Sequence, residues 1–448
     1  MKLTPVIRIL YFVIFVLFLC MLDCVYGRRF AEQNYYPQDY YDGQQKIERI
    51  KTALSKLEHV PEWVSNWPNQ SIKMGQVSGV ALDNLGHLLV FHRASNTWDE
   101  TTFTNRNVYQ GIGKPAISYP TVLVFNDTGE MVNKWGEHLF HIPHGITVDN
   151  KGDVYVTDVA LHQVFKFTAG NWQKPALTLG EKFVPGDDYG HFCKPSAVAV
   201  LPTGDFFVAD GYCNHRILKM APDGTIILHW GTSHGNSPFS FNVPHALTLA
   251  EERGLVCVAD REHGRVGCFR ADNGTFVASY SSWVIGPRLF SVAYSPVHGG
   301  RLYVVNGPSG GLAPVRGYVI EFESGRLIQT FAPDGGLSNP HDVVVSPDGS
   351  KVYVAELNPH RVYKFSDASL RAESVPAVHV AGVTSHSKPT ATVELAVTSP
   401  PPTGWEWWWG AAGGAGGAGG AALLALAALA LLRARNQGKG SEAVPLVQ

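Results

Sequence analysis

Three short stretches of the chain share one form: "HIPHGITVD" (residues 141–149), "FNVPHALTLA" (241–250) and "SNPHDVVVS" (338–346). Each sets a Pro-His pair at the mouth of an apolar run. A single histidine after proline is ordinarily a turn or core residue. Three in one register, His144, His245 and His341, suggest a shared role. Three neutral imidazole nitrogens with an open fourth position form a catalytic zinc set. The chain carries its own control, because Pro359-His360 sits in a hairpin turn, out of register, and is assigned no role. Ser196 takes the same place in "KPSAVAV", and no histidine stands there in "LFSVAYS", so the ligands leave one side open.

The elements that must position these histidines repeat. "DVYVTDVALHQVFKF", "DFFVADGYCNHRILKM", "GLVCVADREHGRVGCF" and "KVYVAELNPHRVYKF" are each a strand ending in an acid (Asp158, Asp210, Asp260, Glu356), a polar turn and a second strand. An entering strand precedes each: "GITVD", "SAVAVL", "HALTLA" and "DVVVS". Pro143, Pro195, Pro244 and Pro340 hold one register, the first three about 50 residues apart. "SGVALDNLGHLLVFHR" and "LFSVAYSPVHGGRLYVVNG" are degenerate copies. Six units of four strands predict an all-β, six-bladed β-propeller. An irregular sandwich would leave the period unexplained. The entering strand of every blade lines the central channel, so residues of one register converge there.

With 45% hydrophobic residues the 448-residue chain supports a large core, and a formal net charge of −2 leaves no basic field for nucleic acid. Residues 1–27 read as a signal peptide: Lys2 and Arg8, an apolar run, then cleavage after Gly27. A retained signal anchor is the alternative. Cys20 and Cys24 leave with the signal, and the four others suit two disulfides in an oxidising compartment. Cys257–Cys268 would face each other across a hairpin at "REHG". Cys193–Cys213 follows by elimination and would tether the loop of Tyr212. Asn69, Asn126 and Asn273 head glycosylation sequons. The expected order is a polar N-terminal segment over 28–70, the propeller over 71–368 and a Ser/Thr/Pro-rich stalk over 369–404. A transmembrane helix over 405–432 and a cytosolic tail over 433–448 follow. The Trp cluster at the start of this helix and Arg433 and Arg435 after it favour a type I orientation. A removed lipid-anchor tail would end apolar, and this one ends basic. The expected location is thus a secretory-pathway membrane, such as that of a secretory vesicle, with the propeller lumenal and stalk cleavage as a route to a secreted form.

Eight motifs in order, "GVALDNLGHLLVFHR", "PHGITVD", "VTDVALHQVFKF", "HFCKPSAVAV", "DGYCNHRI", "VPHALTL", "VADREHGR" and "PHDVVVS", resemble the peptidyl-α-hydroxyglycine α-amidating lyases, NHL-type propeller enzymes. The resemblance spans about residues 70–365. It implies zinc on His144, His245 and His341, Tyr212 as catalytic base, Arg93 as essential and Arg261 in the same pocket. It also implies a structural calcium held by the Asp342 side chain and the backbone carbonyls of Val80 and Ile146. The family usually has a bulky aliphatic at the last of these, so Ile146 is a mild change that a carbonyl ligand tolerates. The implied substrates are α-hydroxyglycine-extended peptides, cleaved at the C–N bond to a peptide amide and glyoxylate. This is the second step in amidating neuropeptides and hormones. Members often follow a copper monooxygenase domain. Here only residues 28–70 separate the signal from the propeller, so the chain reads as a monofunctional lyase, with hydroxylation left to a separate monooxygenase.

Two other readings compete. A non-catalytic NHL-type binding module with a structural metal has no use for a tyrosine and two arginines beside an open metal. A calcium-dependent propeller hydrolase or lactonase would show Asp, Asn and Glu at the channel mouth, whereas histidines favour zinc.

Overall fold

The computed structural model describes residues 43–68, 72–311 and 313–373. The expected signal peptide, transmembrane helix and cytosolic tail, the stalk beyond residue 373 and the sequon at Asn69 lie outside the described residues. No helix among those described is long and apolar enough to cross a membrane.

The described strands form six four-stranded antiparallel sheets. Blades 1 to 5 take their strands in chain order, over residues 77–135, 143–179, 197–230, 244–281 and 289–331. Blade 6 takes three strands from 340–366 and its outermost, Glu62–Trp63, from the N-terminal side. The inner strands pack in sequence and the sixth returns onto the first, closing the ring.

Burial explains the strand patterns. The second strand of each blade lies between neighbouring sheets and reads as a continuous apolar run; Phe206–Asp210 and Leu255–Asp260 are buried throughout. Outer strands face water on one side and alternate, as in Ile226–Trp230. Six apolar clusters fill the six gaps between blades. Burying one such side chain stabilises the fold by about 1.5–3 kcal/mol.

The described part of the polar N-terminal segment, residues 43–68, takes part in the propeller. Helix Gly43–Leu54 buries Ile50 in the cluster between blades 4 and 5, with Ala53 and Leu54 packed beside it. Glu62 and Trp63 then pair with Ser366 and Phe365. A bare outer edge of blade 6 would otherwise present unpaired backbone groups to water.

The acids that end the second strands explain why the Pro-His position recurs. Asp158 accepts from the N–H groups of His141 and Ile142 (2.7 and 3.0 Å), just ahead of Pro143. Asp210 accepts from Cys193 N–H (2.8 Å) and Asp260 from Asn242 N–H (2.7 Å). Glu356 accepts from Ser338 and Asn339 N–H (2.7 and 2.8 Å). Each fully buried acid therefore pins the chain as it enters its inner strand. In blade 1, His92 Nδ1 takes that place, accepting from Gly75 N–H at 3.2 Å.

Candidate active site

Pairing between the first two strands slips at one place in five blades. Pro340 faces Glu356 and Asp342 faces Ala355, so His341 has no partner. The same slip passes over His245, Phe290 and Ser78, and over His144 with Gly145. A bulge of this kind re-aims a side chain. It turns the residue after the proline register into the channel.

His144, His245 and His341 meet there. Their ligand nitrogens lie within 4.8 Å of one another, and all three residues are buried. Each Nδ1–H donates to a backbone carbonyl of the next blade. His144 reaches Ser196 O at 2.8 Å, His245 reaches Phe290 O at 2.7 Å and His341 reaches Ser78 O at 2.7 Å. A carbonyl only accepts, so each Nδ1 carries the proton and each Nε2 keeps its lone pair. Gly145 keeps the geometry open: a Cβ there would lie 2.4 Å from Ser196 O, the acceptor of His144.

Burial holds the imidazoles neutral. It drives His341 down to about 3, with Arg93 adding to the effect. It also drives His144 and His245 well below the ordinary value, with the neighbouring histidines next in importance. The Tyr212 hydroxyl lies 2.8 Å from His144 Nε2 and 2.9 Å from His245 Nε2. One phenolic proton cannot satisfy three converging lone pairs. That excess of neutral imidazole acceptors fits a borderline divalent metal of the zinc type.

Tyr212 follows Gly211 in the turn after the second strand of blade 3, and Cys193–Cys213 ties that turn to the entry of its own blade. Cys257–Cys268 joins directly paired residues of blade 4. Burial pushes the Tyr212 hydroxyl above its usual value, while Arg261 and Arg93 pull it back. Arg93 is 1% exposed. Its Nε donates to Pro143 O (3.1 Å) and its Nη1 to Gln76 Oε1 (2.7 Å), while its buried Nη2 has no partner. An unpaired buried donor on a cation is costly and marks a place for an anion. Arg261 lies between the rings of Tyr212 and Phe290, its Cζ 5.2 and 5.1 Å from their centroids. Its Nη1 is 3.4 Å from the Tyr212 hydroxyl.

Asp342 points to a different part of the channel. Its carboxylate accepts from Val80 N–H (2.9 Å), Ser291 Oγ–H (2.6 Å) and Val343 N–H (2.9 Å), and burial raises it to about 6. Ile146 lines the same channel. Of the sequons, the Asn126 turn is partly exposed and Asn273 is exposed.

Sequence reading missed several neighbours. Trp98, on the long connection from blade 1's second strand, packs 4.7 Å from the Tyr212 ring. Gln76 Oε1 accepts from both Arg93 and Trp98 N–H (2.9 Å for the latter). Glu262 and Arg288 form an ion pair beside Arg261. Glu262 stands in "ADREHG" next to Arg261 and could have been suspected; Gln76 and Trp98 carry no sequence signal.

Comparison with known proteins agrees with this geometry. The NHL-repeat family model matches residues 140–167, 192–220 and 241–269. Peptidyl-α-hydroxyglycine α-amidating lyase 1 of Drosophila melanogaster is 47% identical over 73% of this chain and 63% of its own length. Peptidyl-glycine α-amidating monooxygenase A of Xenopus laevis is 44% identical over 74% of this chain and 36% of its own. A probable peptidyl-α-hydroxyglycine α-amidating lyase of Caenorhabditis elegans is 37% identical over 73% of this chain and 93% of its own. The chain thus spans less than two thirds of the first two relatives and nearly all of the third.

Proposed function

This chain belongs to the peptidyl-α-hydroxyglycine α-amidating lyase family, and we propose that it cleaves peptidyl-α-hydroxyglycine to a peptide amide and glyoxylate. The observation that carries the reading is the convergence of three neutral Nε2 lone pairs, one phenol and one half-unpaired guanidinium. In this reading Arg93 Nη2 receives the terminal carboxylate of the substrate. Tyr212 takes the proton of the substrate hydroxyl. The electrons of that O–H bond become the C=O of glyoxylate as the C–N bond breaks, and the nitrogen gains the proton that the oxygen lost. Arg261 stabilises the phenolate form of Tyr212. Zinc held by His144, His245 and His341 would supply positive charge that favours negative charge on nearby oxygen atoms, the phenol included.

The same proposal assigns calcium to the Asp342 carboxylate with the carbonyls of Val80 and Ile146, a hard oxygen set. It supports the closure of the ring, since Asp342 already links blades 1, 5 and 6. It places the enzyme in the lumen of secretory vesicles, anchored through 405–432, acting on peptides that a separate copper monooxygenase has hydroxylated. Glycans on Asn126 and Asn273 belong to this setting.

The test is an assay of glyoxylate from a peptide ending in α-hydroxyglycine. Glyoxylate should appear, stop after metal chelation and return with zinc. Folded, zinc-loaded protein that releases none would refute the reading.

A further inference from the structure

The reaction as derived gives no role to one charged group in the pocket, the carboxylate of Glu262. It lies on the turn between the second and third strands of blade 4, where Arg261 N–H and Glu262 N–H donate to Val243 O and Asn242 O, both at 3.0 Å. That turn is therefore fixed to the chain just ahead of His245. Glu262 Oε1 accepts from Arg261 Nε at 2.8 Å. From the other side Arg288 closes on it, with Nε at 3.2 and 3.0 Å from the two oxygens and Nη2 at 2.8 Å from Oε1. Arg288 is itself held by Pro308 O at 2.9 Å, and it directly precedes the inner strand of blade 5. Phe290 lies against both guanidinium groups, each Cζ 5.1 Å from its ring.

We propose that Glu262, clamped by Arg288, is a positioning residue that turns Arg261 toward Tyr212 and away from the substrate carboxylate. This assignment rests on the lyase reading. An arginine has five donors in a fixed plane. Glu262 takes the Nε edge, the two rings fix the plane, and Nη1 is left facing the Tyr212 hydroxyl. The paired carboxylate also offsets the charge of Arg261. A substrate carboxylate entering the pocket then finds a free guanidinium donor at Arg93, whose Nη2 is buried and unpartnered. Two arginines in one pocket thereby do different things, and the substrate is held in one orientation.

The proposal predicts a specific kinetic pattern, because losing a group that sets the base form of Tyr212 and touches no substrate lowers kcat and leaves KM alone. In the zinc-loaded enzyme, Glu262→Ala should lower kcat about tenfold and change KM less than about twofold. Glu262→Gln, whose amide oxygen still accepts from Arg261 Nε, should recover about half or more of the lost rate. Calorimetry with a peptide ending in unhydroxylated glycine, which has the carboxylate and lacks the hydroxyl, should give the wild-type affinity for Glu262→Ala and a large loss for Arg93→Ala. Arg288→Met retains Arg261 and Glu262 but removes the clamp on the carboxylate. It should lower kcat about threefold with KM unchanged, and it reads the same clamp should Glu262→Ala not fold. A rise in KM with kcat unchanged, weaker binding of the glycine-ended peptide to Glu262→Ala, or wild-type kinetics in both Glu262→Ala and Arg288→Met would overturn the proposal while leaving the lyase reading standing. A wild type that releases no glyoxylate overturns both.

Discussion

Blades 2, 4 and 6 present His144, His245 and His341 at the bulged position of their inner strands; blades 1, 3 and 5 present Ser78, Ser196 and Phe290 at the corresponding place. The two sets do complementary things. The even blades give imidazole nitrogens to the channel. The odd blades give the backbone carbonyls of those same residues to the imidazoles, each to the blade before it in the ring. A metal-ligating histidine is oriented by what its other nitrogen bonds. In the proposed metal site that partner is part of the repeat itself. The alternation converts a six-fold scaffold into a three-fold centre, with the odd blades left without side-chain ligands.

The largest effect is expected from the even blades. On the proposed function, His245→Ala should remove the bound metal and lower glyoxylate release on the order of a hundredfold or more, the scale of losing one preorganised charge-stabilising group. Metal analysis alongside the rate checks both. Metal retained at full stoichiometry would show that the three histidines are not equivalent.

An odd-blade change at the same register should act differently. Phe290→Ala keeps the carbonyl that receives His245 but removes a ring packed against His245, Arg261 and Arg288. It should cost about 3 kcal/mol of stability and leave zinc stoichiometry intact. Loss of metal in a folded Phe290→Ala protein would mean that the side chain, and not the carbonyl, orients the ligand.

The carbonyl itself is reached through Gly145→Ala, whose Cβ would press on Ser196 O at 2.4 Å. Displacing this acceptor should weaken zinc about tenfold, measured by competition with a chelator. Unchanged affinity would refute the carbonyl's role.

The smallest effect concerns the acid that pins blade 6. Burial raises Glu356 to about 7, against the two N–H groups that lower it. The folded state thus favours the protonated acid, so its contribution is present below the ordinary value of 4.5 and is lost as pH rises through about 7. Glu356→Gln, neutral throughout, should melt a few degrees above wild type past neutrality and match it in acid. A uniform shift at every pH would assign the effect to packing.

Much of this was legible because propeller physics writes itself into local sequence. Continuous apolar runs, acids at strand ends and a repeated proline register mark each blade, and the same register marked the three histidines. Cys257 and Cys268 were legible because a hairpin makes them neighbours. Arg93 was marked only by resemblance, since nothing in "VFHR" says that its guanidinium crosses to Pro143 O. Gln76 and Trp98 were invisible, because their roles rest on contacts made across separate segments.

The sequence by itself determined the blades, their number and the three imidazoles, since strand period and register are short-range properties of the chain. The tertiary structure alone decided where those imidazoles point and which nitrogen they offer. A bulge that skips the histidine, and a carbonyl more than 40 positions away in the next blade, fix the proton on Nδ1 and free Nε2. Both depend on how neighbouring strands pair and pack once the ring has closed, and neither is encoded in any one stretch of residues.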